Sequence, residues 1–593
     1  MRPEELDGLL ARVEKPARYI GGEYNSIVKE EAELRFALCF PDVYEIGMSH
    51  LGSRILYHVL NGMEGVACER AYAPWPDMER ELRAAGLPLY SLETKRPLRD
   101  FDILGFSLLY EMCYTNILTM LELSGIPALA KDRDASMPLI VCGGPCACNP
   151  EPVRAFMDAV LIGDGEELDA EVTEAVRRAK REGTSRAALL EELSHIRGVL
   201  VPSLGGQAPA VRRVVRDLNK VPFTGRPVVP YLNIVHDRVA VEVMRGCTRG
   251  CRFCQAGYIY RPVRERDCES LLHIAREQVA CTGYDEVSLL SLSTGDYSDV
   301  HKLVPEIMAD MEQKRVSVSL PSLRVDARLA EDLRVMRSVR KAGLTFAPEA
   351  GTQRLRDVIN KNVTEEDIFR AAGDAFSAGW STVKLYFMIG LPTETDEDVL
   401  GIAALARRVS ALFYEQPKEK RGKGLRLTVS VSTFVPKPFT AFQWCAQDSL
   451  DEIRRKQDLL KNALRGARGV QLNCHLSRLS VLEAAFSRGD ARLSDVLLSA
   501  YRLGCRFDSW SEHFKPELWE QAFSEHGLSM EDYARRAYAL DEPLAWDGVD
   551  MLVTKRYLQK EYERALSGET TPDCRTRCNG CFGSEHADDC SLS

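Results

Sequence analysis

The chain has 593 residues, of which 45% are hydrophobic and 28% charged, and its net charge is −10. A chain of this length exceeds what one hydrophobic core supports, so we expect several domains. The sequence has no apolar run long enough to cross a membrane and no signal peptide, so we also expect a cytoplasmic protein with no membrane partner. The negative balance, with no long lysine or arginine block, argues against nonspecific binding to nucleic-acid backbone.

The first 200 residues predict a sheet domain. Residues 1–30 are a polar, glycine-containing lead-in, and residues 31–200 alternate short apolar strands with stretches of helical spacing. This alternation predicts an α/β fold that begins with a doubly wound, Rossmann-like parallel sheet. Ligands of such sheets bind at the carboxyl ends of the strands. The candidate strands are 34–40, 65–68, 103–107, 139–142 and 159–162.

Ligand-suited residues follow three of these strands. Ser107 ends the third strand, Gly143 and Gly144 follow the fourth, and Gly163 follows the fifth. Glycine lets a ligand approach the backbone closely. We therefore expect a ligand at this edge of the sheet. Residues 201–235, which follow the sheet domain, have weak periodicity and are predicted to be a linker.

Residues 236–446 predict a partial (β/α)6 barrel. A helical pattern follows each of six candidate strands in about 200 residues. The chemistry of such barrels lies on the loops after the strands. The candidate strands are 239–246, 286–293, 315–320, 343–348, 381–389 and 426–434.

Three cysteines follow the first barrel strand. Cys247, Cys251 and Cys254 have C-x3-C-x2-C spacing, and the aromatic Phe253 precedes the third. Three thiolates leave one iron of a four-iron cluster open for a small molecule. The alternative is part of a structural zinc site, whose nearest further ligands, Cys268 and His273, lie beyond a basic loop. The spacing favours the cluster.

The C-terminal third predicts a helical accessory domain at 447–566 that caps the barrel mouth, and then a metal-binding tail at 567–593. The tail repeats the C-x3-C-x2-C spacing and adds a fourth cysteine, with His586 as an alternative ligand. Four ligands in so polar a segment indicate zinc or an auxiliary iron–sulfur cluster. The four are Cys574, Cys578, Cys581 and Cys590.

The cysteine triad, with the segments Tyr44–Gly52, Ala347–Arg356 and Lys384–Glu394, resembles the radical S-adenosylmethionine (radical SAM) superfamily. Within it, the chain is most similar to an uncharacterised family with an N-terminal cobalamin-binding-type domain. The resemblance implies that the triad holds a [4Fe–4S] cluster. It also implies that a flavodoxin- or ferredoxin-like reductant drives cleavage of S-adenosylmethionine to a 5′-deoxyadenosyl radical, which abstracts hydrogen from a substrate.

The resemblance also implies which residues bind S-adenosylmethionine. Phe253 belongs to the cysteine motif, and Arg324 offers a guanidinium suited to the methionine carboxylate, with an ordinary surface arginine as the alternative. No side chain is assigned as a catalytic acid, base or nucleophile. The remaining candidates follow the second, fourth and fifth barrel strands: Ser293, Thr294, Gly295, Asp296, Glu349 and Gly390.

Cobalamin is a further candidate cofactor. The segments 143–152 and 162–166 resemble a cobalamin-binding-type domain, but the D-x-H-x-x-G motif that supplies a histidine to cobalt is missing. His50 fits a helix-start residue better than a cobalt ligand. The candidate cobalamin face comprises His50, Ser107, Gly143, Gly144 and Gly163.

Three functions remain open. The first is cobalamin-dependent methyl transfer, and the second is a cobalamin-independent modification, methylthiotransferase-like or another hydrogen abstraction, that uses an auxiliary cluster. The third, of another class, is a non-catalytic iron–sulfur or zinc protein that binds RNA or a protein partner. The sequence leaves the substrate as a small molecule, a protein or a structured RNA.

Overall fold

The computed structural model describes residues 3–320, 344–418, 421 and 424–590. The N-terminal domain is a six-stranded sheet of order β2-β1-β3-β4-β5-β6. Its strands are parallel except for the edge strand β6, which runs antiparallel to β5. The strands are Leu34–Phe40 (β1), Val66–Tyr72 (β2), Ile103–Ser107 (β3), Leu139–Gly143 (β4), Ala159–Leu161 (β5) and Val199–Leu200 (β6).

Helices cover this sheet because its central strands are apolar on both faces. Six of the seven residues of β1 and all three of β5 are buried, as expected for a doubly wound sheet. This confirms the predicted Rossmann-like sheet. The helices of the domain are Pro3–Leu10, Tyr44–Gly47, Leu51–Gly62, Pro76–Ala85, Tyr114–Leu123, Gly165–Glu182 and Arg186–Ser194.

The central region holds two parallel sheets of barrel strands, of order β12-β11-β8 and β13-β14-β15-β16. A short antiparallel ladder, β9 with β10, closes the base of the loop that carries the cysteine triad. The strands are Val239–Glu242 (β8), Met244–Arg245 (β9), Arg264–Glu265 (β10), Glu286–Leu290 (β11), Ser317–Ser319 (β12), Leu344–Glu349 (β13), Thr382–Ile389 (β14), Arg426–Thr433 (β15) and Val470–Cys474 (β16).

Each of the six predicted barrel segments contains a strand, and β16 adds a seventh. It pairs in parallel with β15, although the sequence analysis places only helices after residue 446. Only alternate residues of this edge strand are half-buried, so its apolar signal is weak. The barrel helices are Gln255–Ile259, Cys268–Thr282, Val300–Gln313, Gln353–Val358, Glu365–Ser377, Asp396–Glu415 and Leu450–Ala463.

The C-terminal helices pack on both domains rather than only on the barrel mouth. Trp519 and Trp546 share a core with Phe106 of the N-terminal sheet, whereas Val481 belongs to the barrel core. A parallel bridge joins Ala210–Val211 (β7) of the linker to Val549–Asp550 (β17). The helices are Ser477–Ser487, Leu493–Leu503, Pro516–Glu525, Met530–Arg535 and Lys555–Ser567.

Within the parts of the chain that the structure describes, no helix is both long enough and apolar enough to cross a membrane.

Candidate active site

The cysteine triad lies on a loop whose base tolerates only glycine. Gly246 has a φ of +87°, and a Cβ at this position would lie 2.6 Å from the carbonyl oxygen of Pro262 and 2.7 Å from that of Tyr260. Glycine avoids both the clash and the conformational strain. The returning end of the loop can therefore pass directly over its start.

The three thiols lie close enough to influence one another. Burial and then the neighbouring Cys251 raise the pKa of Cys254 to about 12, and the same two causes raise the pKa of Cys247. Three crowded thiolates are costly unless they bind a metal. The donor set therefore fits a [4Fe–4S] cluster, which bonds each thiolate to a different iron.

Single-ion sites differ from this arrangement. Among the described residues, no three histidine, cysteine, aspartate or glutamate side chains are placed to hold one metal ion. Neither the triad nor the tail cysteines among these residues are placed around a single ion. A four-iron cluster holds its thiolates farther apart than one zinc ion does.

A buried arginine fixes the triad loop to the C-terminal helix. The Arg252 side chain is 0% exposed and forms an ion pair with Glu561 at 3.2 Å. It also donates to the carbonyl oxygens of Val358 at 3.0 Å and Glu569 at 2.7 Å. A buried charge with this many partners holds the loop in one position.

The turn after the second barrel strand contacts the triad loop. Thr294–Asp296 form one turn of 3-10 helix, which contains Gly295. The Asp296 carboxylate accepts hydrogen bonds from Arg249 Nε at 3.0 Å and from Ser293 Oγ at 2.6 Å. These candidate S-adenosylmethionine residues are therefore joined to the cysteine loop through Arg249.

The later candidates are occupied by protein partners. Glu349 has a φ of +68°, a strained conformation for a residue with a side chain, and accepts from Lys361 Nζ at 3.2 Å. Lys361 also acts electrostatically on Cys254, which places this pair beside the triad. The N–H of Gly390 donates to Glu394 at 2.7 Å. That amide is therefore engaged by protein.

Two candidates remain. Phe253 packs in a small cluster with Ala350 and Leu391, so the aromatic residue of the motif helps to seat the loop on the barrel. Arg324 lies outside the described residues.

A cavity of about 400 Å³ lies between the N-terminal sheet and the base of the triad loop. The sheet contributes its strand carboxyl ends, and the barrel contributes the segments 244–246 and 290–292. The cavity therefore sits where a ligand would touch both domains. All five residues of the candidate cobalamin face line it: His50, Ser107, Gly143, Gly144 and Gly163.

Two of the glycines there are required by the packing of the protein backbone. A Cβ on Gly144 would lie 2.7 Å from the carbonyl oxygen of Leu108, and one on Gly163 would lie 2.1 Å from that of Arg213. Both have positive φ, at +112° and +122°. Packing of the strand-end loops is therefore sufficient reason for these two glycines, without a ligand.

His50 is the N-cap of the helix Leu51–Gly62. Its Nδ1 accepts the backbone N–H of Ser53 at 3.1 Å and lies 2.8 Å from the Ser53 hydroxyl oxygen. Burial lowers the pKa of His50 to about 4, so the ring is neutral at pH 7. The helix-start interpretation of this histidine is confirmed.

Buried ion pairs join the two walls of the cavity. Asp164, after β5, contacts Arg264 and lies 3.4 Å from Arg245 Nη1. Arg245 in turn pairs with Glu166 at 2.6 Å and Glu242 at 2.9 Å. Burial alone would raise the pKa of Asp164, but the neighbouring arginines hold it well below its usual range. The network fixes the sheet domain against the first barrel strand.

Two buried polar groups in the cavity wall were missed by the sequence analysis. Asp169 is 8% exposed and has no hydrogen-bond or ion-pair partner among the described residues. Burial and then Glu166 raise its pKa to about 7. Arg212 is 1% exposed, and its Nη2 has no hydrogen-bond partner in the described part of the chain. The sequence signal available for Asp169 was its i+3 position from Glu166 on one helix face.

A three-cysteine loop at the start of a parallel β/α barrel, joined to a doubly wound sheet, defines an iron–sulfur enzyme whose cluster keeps one iron open. Two family descriptions match, "Radical SAM proteins, N-terminal" over residues 52–202 and "Radical SAM superfamily" over residues 241–406. The chain belongs to the radical SAM superfamily. Its radical SAM domain implies a [4Fe–4S] cluster and S-adenosylmethionine.

The sequence is similar to proteins that differ in how much of the chain they match. An uncharacterized protein of Methanocaldococcus jannaschii, MJ0966, is 28% identical over 78% of this chain and 90% of its own length. A tRNA-2-methylthio-N(6)-dimethylallyladenosine synthase of Parabacteroides distasonis is 26% identical over 35% of this chain. The match covers 48% of the synthase, about half its length.

Among solved structures, the radical S-adenosylmethionine methyltransferase TsrM from Kitasatospora setae, with cobalamin and a [4Fe–4S] cluster bound, is 14% identical. The match covers 67% of this chain and 72% of TsrM, with a TM-score of 0.46. A likeness at this level does not identify the ligands of this chain.

Proposed function

We propose that the cavity between the two domains binds cobalamin and that the enzyme transfers a methyl group to an unactivated carbon of its substrate. The observation that carries this proposal is the position of the cavity. It is lined both by the carboxyl-terminal edge of the N-terminal sheet, where such sheets bind ligands, and by the base of the triad loop. A ligand there would lie beside the radical-generating site.

The chemistry of the cavity wall supports a flat apolar ligand with N–H donors along its edge. Phe36, Phe106 and Leu290 contribute apolar surface, whereas Glu166 and Asp169 contribute acceptors. A corrin ring combines an apolar face with peripheral carboxamides, which donate N–H groups.

The residues that would hold cobalamin are those of the strand-end loops together with Asp169. His50 would remain a helix cap, so cobalamin would be held without an imidazole on cobalt. When bound, cobalamin supplies a methyl carrier, and the [4Fe–4S] cluster supplies the electron that cleaves S-adenosylmethionine.

The chain itself positions the two sites. Arg252 holds the triad loop, Arg249 holds the turn 294–296, and Arg245 and Arg264 close the seam between the sheet and the barrel. In this proposal a flavodoxin- or ferredoxin-like protein delivers the electron, and the substrate enters at the barrel mouth.

Reconstitution with hydroxocobalamin tests the proposal. After anaerobic loading and desalting, absorbance and mass spectrometry should detect about one cobalamin per chain. The variant Leu109→Trp, which places a large side chain in the cavity wall, should lose most of it. Leu400→Trp, on the exposed face of the helix Asp396–Glu415, should retain it. An unmodified protein that retains no cobalamin would exclude cobalamin-dependent methyl transfer.

A cobalamin-independent sulfur insertion is a second candidate, favoured by the tail cysteines and by the likeness to tRNA methylthiotransferases. It differs in substrate and product. Mass spectrometry of tRNA nucleosides from a deletion strain would show a missing methylthio group if this function is correct. Unchanged tRNA nucleosides, with cobalamin retained by the purified protein, would leave methyl transfer as the function.

A further inference from the structure

We propose that Cys574, Cys578, Cys581 and Cys590 hold a closed iron–sulfur cluster packed against the triad loop, and that Arg261 couples the two clusters electrostatically. Filling the tail site then changes the reduction potential of the triad cluster. The inference does not depend on cobalamin.

The tail backbone is hydrogen-bonded directly to the triad loop. The N–H of Cys574 donates to the carbonyl oxygen of Thr248 at 3.2 Å, and the Thr248 hydroxyl donates to Asp573 at 2.7 Å. Arg249 Nε lies 3.1 Å from the same Asp573 carboxylate. The first tail cysteine is therefore fixed beside the residue that follows Cys247.

The first residues of the tail are also held beside the triad loop. Asn360 donates to the carbonyl oxygens of Gly250 at 3.0 Å and Thr571 at 3.1 Å, and accepts the N–H of Thr571 at 2.8 Å. Arg252 reaches the carbonyl of Glu569. Residues 569–574 thus run alongside residues 248–252, although more than 300 positions separate them in sequence.

Three of the four tail cysteines lie near one another although the tail has almost no apolar core. Cys574 interacts electrostatically with Cys581 and Cys590. Between residues 573 and 590 the one large buried apolar side chain among the described residues is Phe582. A segment with so little apolar burial needs a metal to stay folded.

The cysteine spacing indicates which metal centre forms. The first three tail cysteines repeat the C-x3-C-x2-C spacing of the triad, which holds a four-iron cluster with one open iron. Cys590 supplies the fourth thiolate and closes that position. A cluster closed in this way cannot bind S-adenosylmethionine, but its charge acts on the triad cluster beside it.

Arg261 contacts the triad loop and interacts electrostatically with cysteines of both groups. It is 3% exposed and stacks over Tyr258 at 5.0 Å, and its Nη2 donates to the carbonyl oxygen of Arg249 at 3.1 Å. Its positive charge acts on Cys247 on one side and on Cys574 on the other. The same buried cation is therefore shared by both sites.

The sign of the coupling follows from charge. Reduction adds an electron to the triad cluster, so the Arg261 cation favours the reduced state and raises its potential. A tail cluster on four thiolates carries net negative charge, which opposes that reduction. Loss of the tail cluster should raise the triad potential, and loss of the Arg261 charge should lower it.

Potentiometric EPR on the full-length, anaerobically reconstituted chain tests both parts. The double variant Cys578→Ala/Cys590→Ala should keep about half of the iron and sulfide and an EPR signal that S-adenosylmethionine perturbs. Its midpoint potential should be higher than that of the unmodified protein. Arg261→Gln should lower the potential, and Arg261→Lys, which keeps the charge, should restore it. Asn579→Ala serves as the control beside the tail ligands.

Other outcomes would overturn the proposal. If Cys247→Ala/Cys251→Ala/Cys254→Ala retains zinc instead of iron and sulfide in the tail, the closed iron–sulfur site is wrong. If the triad potential is the same with and without the tail cluster, in variants whose circular dichroism matches the unmodified protein, the coupling is wrong. Cobalamin retention is measured on the same samples, so failure of the methyl-transfer proposal is recognised separately.

Discussion

The two walls of the interdomain cavity hold their polar groups in different ways. On the barrel side, Arg245 engages Glu166 across the cavity and Glu242 beside it, so this buried charge has close partners. On the sheet side, Asp164 is paired with Arg264, whereas Asp169 is buried with no hydrogen-bond or ion-pair partner among the described residues. A satisfied buried charge maintains a fixed geometry, whereas an unsatisfied one costs free energy until a ligand arrives. The ion-paired charges therefore fix the position of the two walls, and Asp169 is the acid of the sheet wall that is available to a ligand.

Removal of one triad thiolate should have the largest effect on activity. It should abolish the function of the barrel wall without affecting ligand binding by the sheet wall. Cys251→Ala leaves the cluster without one of its three protein ligands, so 5′-deoxyadenosine formation with dithionite should fall at least about a hundredfold. Cobalamin retention should persist because the sheet wall is unchanged. Product is measured by liquid chromatography and mass spectrometry.

A matched control is Cys281→Ala, which removes a thiol from the helix Cys268–Thr282, away from the loop. Its product yield should equal that of the unmodified protein. A Cys251→Ala protein that still forms 5′-deoxyadenosine would contradict the assignment of the triad. Loss of cobalamin from that variant would mean that the two walls do not act independently.

Some parts of the fold and of the cavity walls could be predicted from the sequence, and others could not. Strands β1 and β3 were predicted to the residue because a strand buried on both faces is a continuous apolar run. β16 was missed because only part of an edge strand is buried. The triad loop, whose base lies in the barrel wall, could be predicted because its three cysteines are close together in sequence.

Contacts between distant segments could not be predicted. Asp169 looks like an ordinary acid near the start of a helix, and only the tertiary fold places it in a cavity. The hydrogen bond from Cys574 to Thr248 joins segments that no periodicity links. The assignment of Gly390 to S-adenosylmethionine remains a prediction, but its amide already donates to Glu394.

Replacement of the unsatisfied acid should have the next largest effect. Because its pKa is about 7 in the folded protein, Asp169 binds a proton between about pH 4 and pH 7 that the unfolded chain releases. The free energy of unfolding should therefore fall as pH rises through that window. Asp169→Asn removes this loss and should stabilise the cobalamin-free protein at pH 8 by on the order of 2 kcal/mol.

Chemical denaturation at pH 5 and pH 8 measures that difference, and Asp495→Asn, at an exposed helical position, is the control. Asp169→Asn should also weaken cobalamin retention, since an acceptor for the ligand edge is lost. A variant that is neither stabilised at pH 8 nor weaker in cobalamin binding would show that Asp169 has a partner on the sheet wall. The comparison between the walls would then fail.

His50 should give the smallest effect. It lines the sheet wall, but its Nδ1 already accepts a hydrogen bond from the N–H of Ser53. His50→Ala should destabilise the protein by about 0.5–2 kcal/mol through loss of the cap, and His50→Asn, whose side chain can cap the same helix, should recover most of it. Both should retain cobalamin, because the ligand is held by strand-end loops. EPR of reduced cobalamin reports an imidazole on cobalt as nitrogen coupling. Nitrogen coupling in the unmodified protein that disappears in His50→Asn would make His50 a cobalt ligand and would require Ser53 to lose its cap whenever cobalamin binds.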